Sequence, residues 1–318
     1  MTDARAPRLV SCVGVETDLD LLAHFLDHYR GLGLAPGDMH LILNAAAPDR
    51  PGLARARAIL AEAGCAAPEV WIGPYTSRAM WQRRRELQAR VAGPRDWVIS
   101  ADVDEFHAYP EPLPAFLARC ARMGVDCVQG PFVDRLAEGG RLAPVAPAPA
   151  ILEQFPVLAE VSLSIAGTGR RHDRFGTVKI MALRGAILPS QGGHHPQKGQ
   201  KVRYLYGHPL GAFAEIERSD FRFAVPTRVH HVHWTASLPG RLERRLATPG
   251  VSPAGAEYGR KQLDHIARHG GIALDRVALP PPAASRDWTR DLARLRRRGF
   301  LKARLGPLLA RARRALGR

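Results

Sequence analysis

The sequence predicts an α/β fold, a mostly parallel mixed sheet flanked by helices, with a basic helical tail at its C-terminal end. Three observations predict it. Strand-like and helix-like segments alternate four times in the first hundred residues, the pattern of a parallel sheet with right-handed crossovers. Trp97-Val98-Ile99-Ser100-Ala101 is an apolar run entered through Gly93-Pro94-Arg95-Asp96, as expected of a strand buried on both faces. Residues 286–318 hold twelve basic and two acidic residues, a net of +10 within the +16 of the whole chain.

The elements follow in order. Leu9 to Val15 reads as the first strand. Asp18 to Leu32 reads as a helix, because Leu21, Leu22, Phe25, Leu26 and Tyr29 recur at helical spacing behind Asp18 as N-cap. Gly31 and Gly33 close it. Met39 to Asn44 is a second strand, Pro51 to Ala63 a second helix, and Glu69 to Ile72 a short third strand. Ser77 to Val91 is a helix carrying Arg83, Arg84, Arg85 and Arg90. After the strand at Trp97, Pro112 to Met123 predicts a helix and Asp126 to Val133 a strand ending at Asp134-Arg135. Residues 142–150 place Pro144, Pro147 and Pro149 among alanines and predict a surface loop. Thr177 to Leu183 is a strand with Lys179 in its middle, either on a solvated face or facing a ligand. The domain boundary falls before Arg286, giving an α/β domain over 1–285 and a tail over 286–318.

With 318 residues and 46% hydrophobic content, the chain can bury a sizeable core. It has no run of about 20 apolar residues that could span a membrane, and its first fifteen residues lack a signal-peptide pattern. Cys12, Cys65, Cys120 and Cys127 show no CxxC spacing, which predicts free thiols in a cytoplasmic protein. Outside the tail the net charge is only +6, and five of the 46 basic residues are lysine. The arginines are not interleaved with aromatics, so a nucleic-acid partner is not expected. Neither GxGxxG nor GxxxxGK[ST] is present, which counts against dinucleotide oxidoreductases and P-loop enzymes.

The chemistry-bearing signal is Asp102-Val103-Asp104-Glu105-Phe106, at the carboxyl end of the buried strand, where open α/β sheets bind ligands. In an extended chain Asp102 and Asp104 point one way and Glu105 the other. Two adjacent carboxylates repel unless a cation sits between them, and hard oxygen ligands suit Mg²⁺ or Mn²⁺ with positions left for a diphosphate. The plainer alternative is a turn or helix cap. Gly192-Gly193-His194-His195-Pro196 and Val229-His230-His231-Val232-His233-Trp234 hold five of the thirteen histidines. Alternation puts His231 and His233 on one face and His230 on the other. No cysteine or HExxH accompanies them to suggest zinc. They are either structural or further ligands to an ion at the acids.

These residues together resemble a GT-A type glycosyltransferase, of the family-2-like bacterial group that also resembles family-92 glycosyltransferases. The matching positions are Glu16 to Leu22, Phe25 to Arg30 with Leu32-Gly33, Asn44, and Asp96-Trp97-Val98-Ile99 leading into Asp102 to Phe106. Lys179 and the histidines near 194 and 231 match more weakly. His28-Tyr29 reverses the group's order, and its S-x-D after Asn44 is degraded to Ala46 to Asp49.

The resemblance implies that Asp102 and Asp104 hold Mn²⁺ or Mg²⁺ against the donor diphosphate, with His233 or His231 completing the metal site. It implies donor contacts from Glu16, Asn44, Asp102 and Lys179, and a carboxylate base that is Asp134 or Asp173. The expected reaction is inverting transfer of a sugar from a nucleoside-diphosphate donor, UDP favoured, to a hydroxyl on a glycan or lipid-linked acceptor. A nucleotidyltransferase-like enzyme is the nearest alternative, but its usual glycine- or lysine-bearing loop is replaced here by Gly14 to Asp18, which is acidic. A non-catalytic basic nucleic-acid-binding protein is the other. In the tail, Leu301, Leu305, Leu308, Leu309, Ala312 and Leu316 share a helical face among arginines, interrupted by Pro307. Such a helix either docks on the domain or lies on an anionic membrane, which would make the protein peripheral to the inner face of the plasma membrane.

Overall fold

The computed structural model describes residues 6–165, 176–251, 253–278 and 287–315. Four strands come first: β1 (Arg8–Gly14), β2 (Met39–Ala45), β3 (Glu69–Ile72) and β4 (Trp97–Ser100). They pair in parallel in the order β3-β2-β1-β4. Helices α1 (Leu19–Gly31), α2 (Pro51–Glu62) and α3 (Ser77–Val91) make the crossovers. Every residue of β4 is buried, the polar Ser100 among them.

Beyond β4 the sheet becomes mixed. β5 (Glu105–Ala108) follows the acids at once, and α4 (Leu113–Arg122) leads into β6 (Cys127–Leu136). The short elements α5 (Ile151–Gln154), β7 (Val157–Ala159) and α6 (Val161–Ser164) precede β8 (Val178–Arg184). α7 (Ser219–Arg222) and β9 (Arg228–His231) complete the sheet, in the order β4-β8-β6-β9-β5, with β7 on β6. β8 lies antiparallel to β4 and β6, while β9 runs parallel to β6 and antiparallel to β5. α8 (Leu238–Ala247), α9 (Pro253–His269) and α10 (Trp288–Ala315) follow.

Most expected elements form within a residue or two. β5 is one addition, its four residues lying too close to the acids for a strand pattern to show; β7 and the helices α5 to α9 are others. The four cysteines are free, three of them buried. Asp18 occupies the N-cap position of α1 but makes no side-chain cap bond; its carboxylate accepts instead from Gly14 N at 3.0 Å. At the other end of α1, the Tyr29 hydroxyl donates to the Glu105 carbonyl (3.1 Å) and His28 Nε2 to the His107 carbonyl (2.9 Å). The His28-Tyr29 pair therefore holds β5 in place.

The first three turns of α10 dock on the domain. Leu292 and Leu295 are buried, and Arg296 donates to the Leu205 carbonyl at 2.8 Å. Two glycines allow the backbones to touch: a Cβ on Gly299 would sit 2.0 Å from Tyr206 O, and one on Gly207 2.7 Å from Arg296 O.

His107, fully buried beside Tyr29 and Tyr109, has no hydrogen-bond partner for Nε2 among the described residues. Burial, aided by His28 and Lys179, holds its pKa well below the imidazole range. A group depressed in this way contributes stability above its unfolded pKa of about 6.5 and loses it as pH falls. Urea unfolding is expected to show a loss of up to about 2 kcal/mol from this residue between pH 6.5 and 5, and His107→Leu should flatten that part of the slope.

Candidate active site

The acids do not continue the strand. Glu105 N donates to the Asp102 carbonyl at 3.0 Å, closing residues 102–105 into a β-turn. The turn overrides the alternation expected of an extended chain. Register pairs Glu105 with His231 across β5 and β9, and His231 with Asp134 across β9 and β6. Residues paired in register share a face. Glu105 consequently lies on the side expected of Asp102 and Asp104 alone, and a ligand atom from each of the three acids falls within 4.8 Å of the others.

The fold supplies its own cations to this cluster. Arg84 of α3, 1% exposed, pairs with Asp102 and donates to Ser100 Oγ at 2.8 Å and Val10 O at 3.3 Å. Lys179 of β8 is buried too. Its ammonium lies 2.6 Å from Glu105 and 3.2 Å from Asp102. Burial opposes the ionised form of Asp102, but Lys179 and Arg84 outweigh it and hold the carboxyl below the usual range. Glu105 is buried more deeply, and burial outweighs Lys179 there. With Asp102 and Asp104 adding repulsion, its pKa is pushed up to about 7.

Asp104 has different neighbours. His231 Nε2 and His233 Nδ1 each lie 3.4 Å from its Oδ2, and the two rings stack at 4.9 Å and 14°. Burial works against the Asp104 carboxylate, yet the His231 charge and both histidine contacts hold it well below the carboxylate range. Behind His231, Asp134 Oδ1 meets Nδ1 at 2.8 Å and also accepts from Trp234 Nε1 at 2.9 Å; its Oδ2 accepts from Val161 N at 3.1 Å. Burial disfavours the His231 cation, but Asp104 and Asp134 raise its pKa to about 10. His233 goes the other way, to about 4, through burial against its Asp104 bond, with Arg241 and His231 adding to the fall. His230 faces away, as alternation predicts, and burial lowers it to about 3.

One carboxylate oxygen and two imidazole nitrogens within 4.8 Å of one another are a donor set that fits a divalent ion. The buried Asp134–His231 bond adds the outer carboxylate that commonly orients a ligating imidazole and leaves the other ring nitrogen to face the metal. Asp102 and Glu105 could complete such a site, but both already offset Lys179.

Other expected site residues are placed as follows. Asn44 is buried and donates through Nδ2 to the Trp71 and Gly73 carbonyls (3.1 and 3.0 Å), tying β2 to β3. Glu16 Oε1 accepts from Ala46 N at 2.9 Å, beside Arg50. Asp173 lies outside the described residues. Sequence reasoning missed four neighbours: Arg84, Asp18, Arg241 and Tyr75. Arg241 of α8 donates to the His233 carbonyl at 2.7 Å and lies 3.8 Å from Asp18. Burial raises Asp18 to about 6 against Arg241, with Asp104 adding to the rise. Tyr75 is 41% exposed and stacks on Trp71 (5.9 Å, 25°), whose ring Arg83 covers at 4.9 Å. Arg84 was findable: Met80, Trp81, Arg84, Leu87 and Gln88 are the buried face of α3, so a charge stands within an apolar stripe.

No family model matches the chain, and no curated protein matches it. Among solved structures it is similar to TarS from S. aureus, at 10% identity throughout. The TM-score to TarS 1–349 is 0.32, over 84% of this chain and 74% of that one. To a longer TarS chain it is 0.33, over 85% and 44%, so the present chain spans under half that length. To TarS 1–349 in complex with UDP it is 0.34, over 83% and 72%. Likeness this distant does not determine an activity, and the chemistry has to come from the site's own residues.

Removing the Arg84 charge strands a carboxylate that its neighbours cannot fully compensate. Arg84→Met is expected to lower unfolding free energy by about 3 kcal/mol in urea titration, with Arg84→Lys recovering only part because one ammonium cannot reach all three acceptors.

Proposed function

We propose that this chain is a metal-dependent glycosyltransferase that moves a sugar from a nucleoside-diphosphate donor, UDP favoured, to a hydroxyl acceptor, with inversion. The observation that carries the reading is the Asp104–His231–His233 cluster, backed by Asp134, beside the carboxyl end of a buried parallel strand. The acid-rich turn and the helix before it, which resemble the GT-A group, support it.

In this reading Asp104, His231 and His233 hold Mn²⁺ or Mg²⁺. An ion there offsets the negative charge that builds on the departing diphosphate. Asp102, a third exposed at its side chain, faces the donor from a position set by Arg84 and Lys179. The Lys179 ammonium reaches the donor side only as part of that cluster, because Glu105 and Asp102 already hold it. Asp134 acts as a positioning residue: it keeps the proton on His231 Nδ1 and leaves Nε2 to face the ion. Its carboxylate is buried under bonds from His231, Trp234 and Val161, an arrangement that suits orienting a ring better than accepting a proton from an acceptor. Tyr75, held flat by Trp71, offers an aromatic face for the base. Asn44 and Glu16 shape the strand ends beneath it.

Calorimetric titration of UDP and GDP, each with and without Mn²⁺, tests the reading. UDP binding that requires the ion and disappears in Asp104→Asn is the expected result; no binding of either nucleotide with any metal would overturn it. Asp134→Asn should weaken Mn²⁺ binding roughly 10- to 100-fold while the fold is retained, the range typical of an orienting partner behind a ligand. His230→Gln, on the opposite face, should leave Mn²⁺ affinity unchanged.

A further inference from the structure

Past Lys302, α10 makes no hydrogen bond or ion pair with the rest of the protein among the described residues. From Leu301 to Leu309 every residue except Gly306 is exposed, and Leu301, Leu305, Leu308 and Leu309 expose 47–61% of their surface. The docking contacts end at the Gly299–Tyr206 approach and at Lys302, whose ammonium donates to the Ala212 carbonyl. Past that point about 20 Å of helix extends over residues 303–315, at 1.5 Å per residue. An isolated helix of that length is marginal in water, and Pro307 inside it removes one backbone bond. A leucine stripe on such a segment implies a surface that covers it.

We infer that this projecting half of α10 is a membrane-docking helix that lies in the headgroup region of an anionic lipid surface. Charge identifies the occupant. From Leu292 to Arg318 the sequence contains no acid, and Arg304 and Arg311 each follow a stripe leucine by three residues, along one edge of the stripe. Arginines at the edge of an apolar stripe can bury their stems and keep their heads among lipid phosphates. A second copy of this chain fits less well, because pairing two such stripes would bring cationic edges together. A nucleic acid would use the arginines and leave the leucines in water. No described helix is long and apolar enough to cross a membrane, so the helix lies along the surface.

The docked half fixes the attachment. Trp288 packs near Phe116 and under Arg119, and Gly299 lets the helix backbone meet the loop at Tyr206. The inference is independent of the proposed catalytic chemistry.

Co-sedimentation of the full chain with phosphatidylglycerol–phosphatidylcholine vesicles, against phosphatidylcholine alone, tests it. The expected result is binding to the anionic vesicles that weakens with salt, and a loss of about tenfold or more in partitioning for a Leu305→Asp/Leu308→Asp double variant. Those side chains are exposed, so the double variant should unfold at the wild-type temperature. An Arg304→Gln/Arg311→Gln variant should lose binding to anionic vesicles while its residual binding to neutral ones is unchanged. Equal binding by wild type and the leucine variant would overturn the inference, as would no vesicle binding at all. So would a concentration-dependent dimer that the leucine variant abolishes while vesicle binding persists.

Discussion

The site depends on how three carboxylates are kept within a few ångströms of each other at the end of a buried strand. Like charges that close would force each other to protonate or push the turn apart. The fold offsets this with two cations, Arg84 from α3 and Lys179 from the neighbouring strand, and only the most buried acid, Glu105, is still pushed up to about 7. Neither is free to leave: Arg84 is also bound to Ser100 and Val10, and Lys179 of β8, opposite Gly130 of β6, is buried against Glu105 and Asp102. The charges then divide. Asp102 and Glu105 balance the two cations, and Asp104 is left for the histidines.

That division explains why a Asp-x-Asp pattern by itself says less than the sequence suggests. Its two acids do different work here. Asp104, His231 and His233 make a donor set that fits a divalent ion, while Asp102 is the partly exposed member of an ion-pair network. Asp134 belongs to the same logic. The sequence places it at a strand end beside Arg135, one of two candidate bases, but β6 continues past it to Leu136 and places it directly behind His231. Its burial costs little because three donors surround it, two of them from the segment that carries His231.

The polar face of the fold is held to the core by groups whose sequence neighbours gave no hint of that task. His28 and Tyr29, at the end of a helix read for its apolar spacing, bond the carbonyls of β5. Asn44, which the resemblance assigned to the donor, uses its amide to join two strands. Each is a side chain at the edge of an apolar pattern, where a polar group either meets solvent or completes a buried backbone bond. Burial made the difference in these cases, and burial depends on what packs against the residue from far along the chain.

The sequence alone determined the alternation of strands and helices, the buried strand leading to the acids, the facing of His231 and His233 and the amphipathic tail. Periodicity of two or 3.6 residues and breaks at glycine and proline are local properties, readable without a partner. Only the tertiary structure decided that residues 102–105 turn, that β5 exists, that Arg84 and Lys179 sit under the acids, that Asp134 stands behind His231, and where α10 leaves the body. Those outcomes rest on strand register and on contacts between residues up to 173 positions apart. No local pattern encodes which distant charge will arrive beside a carboxylate, because that is fixed by the packing that lowers the energy of the whole sheet.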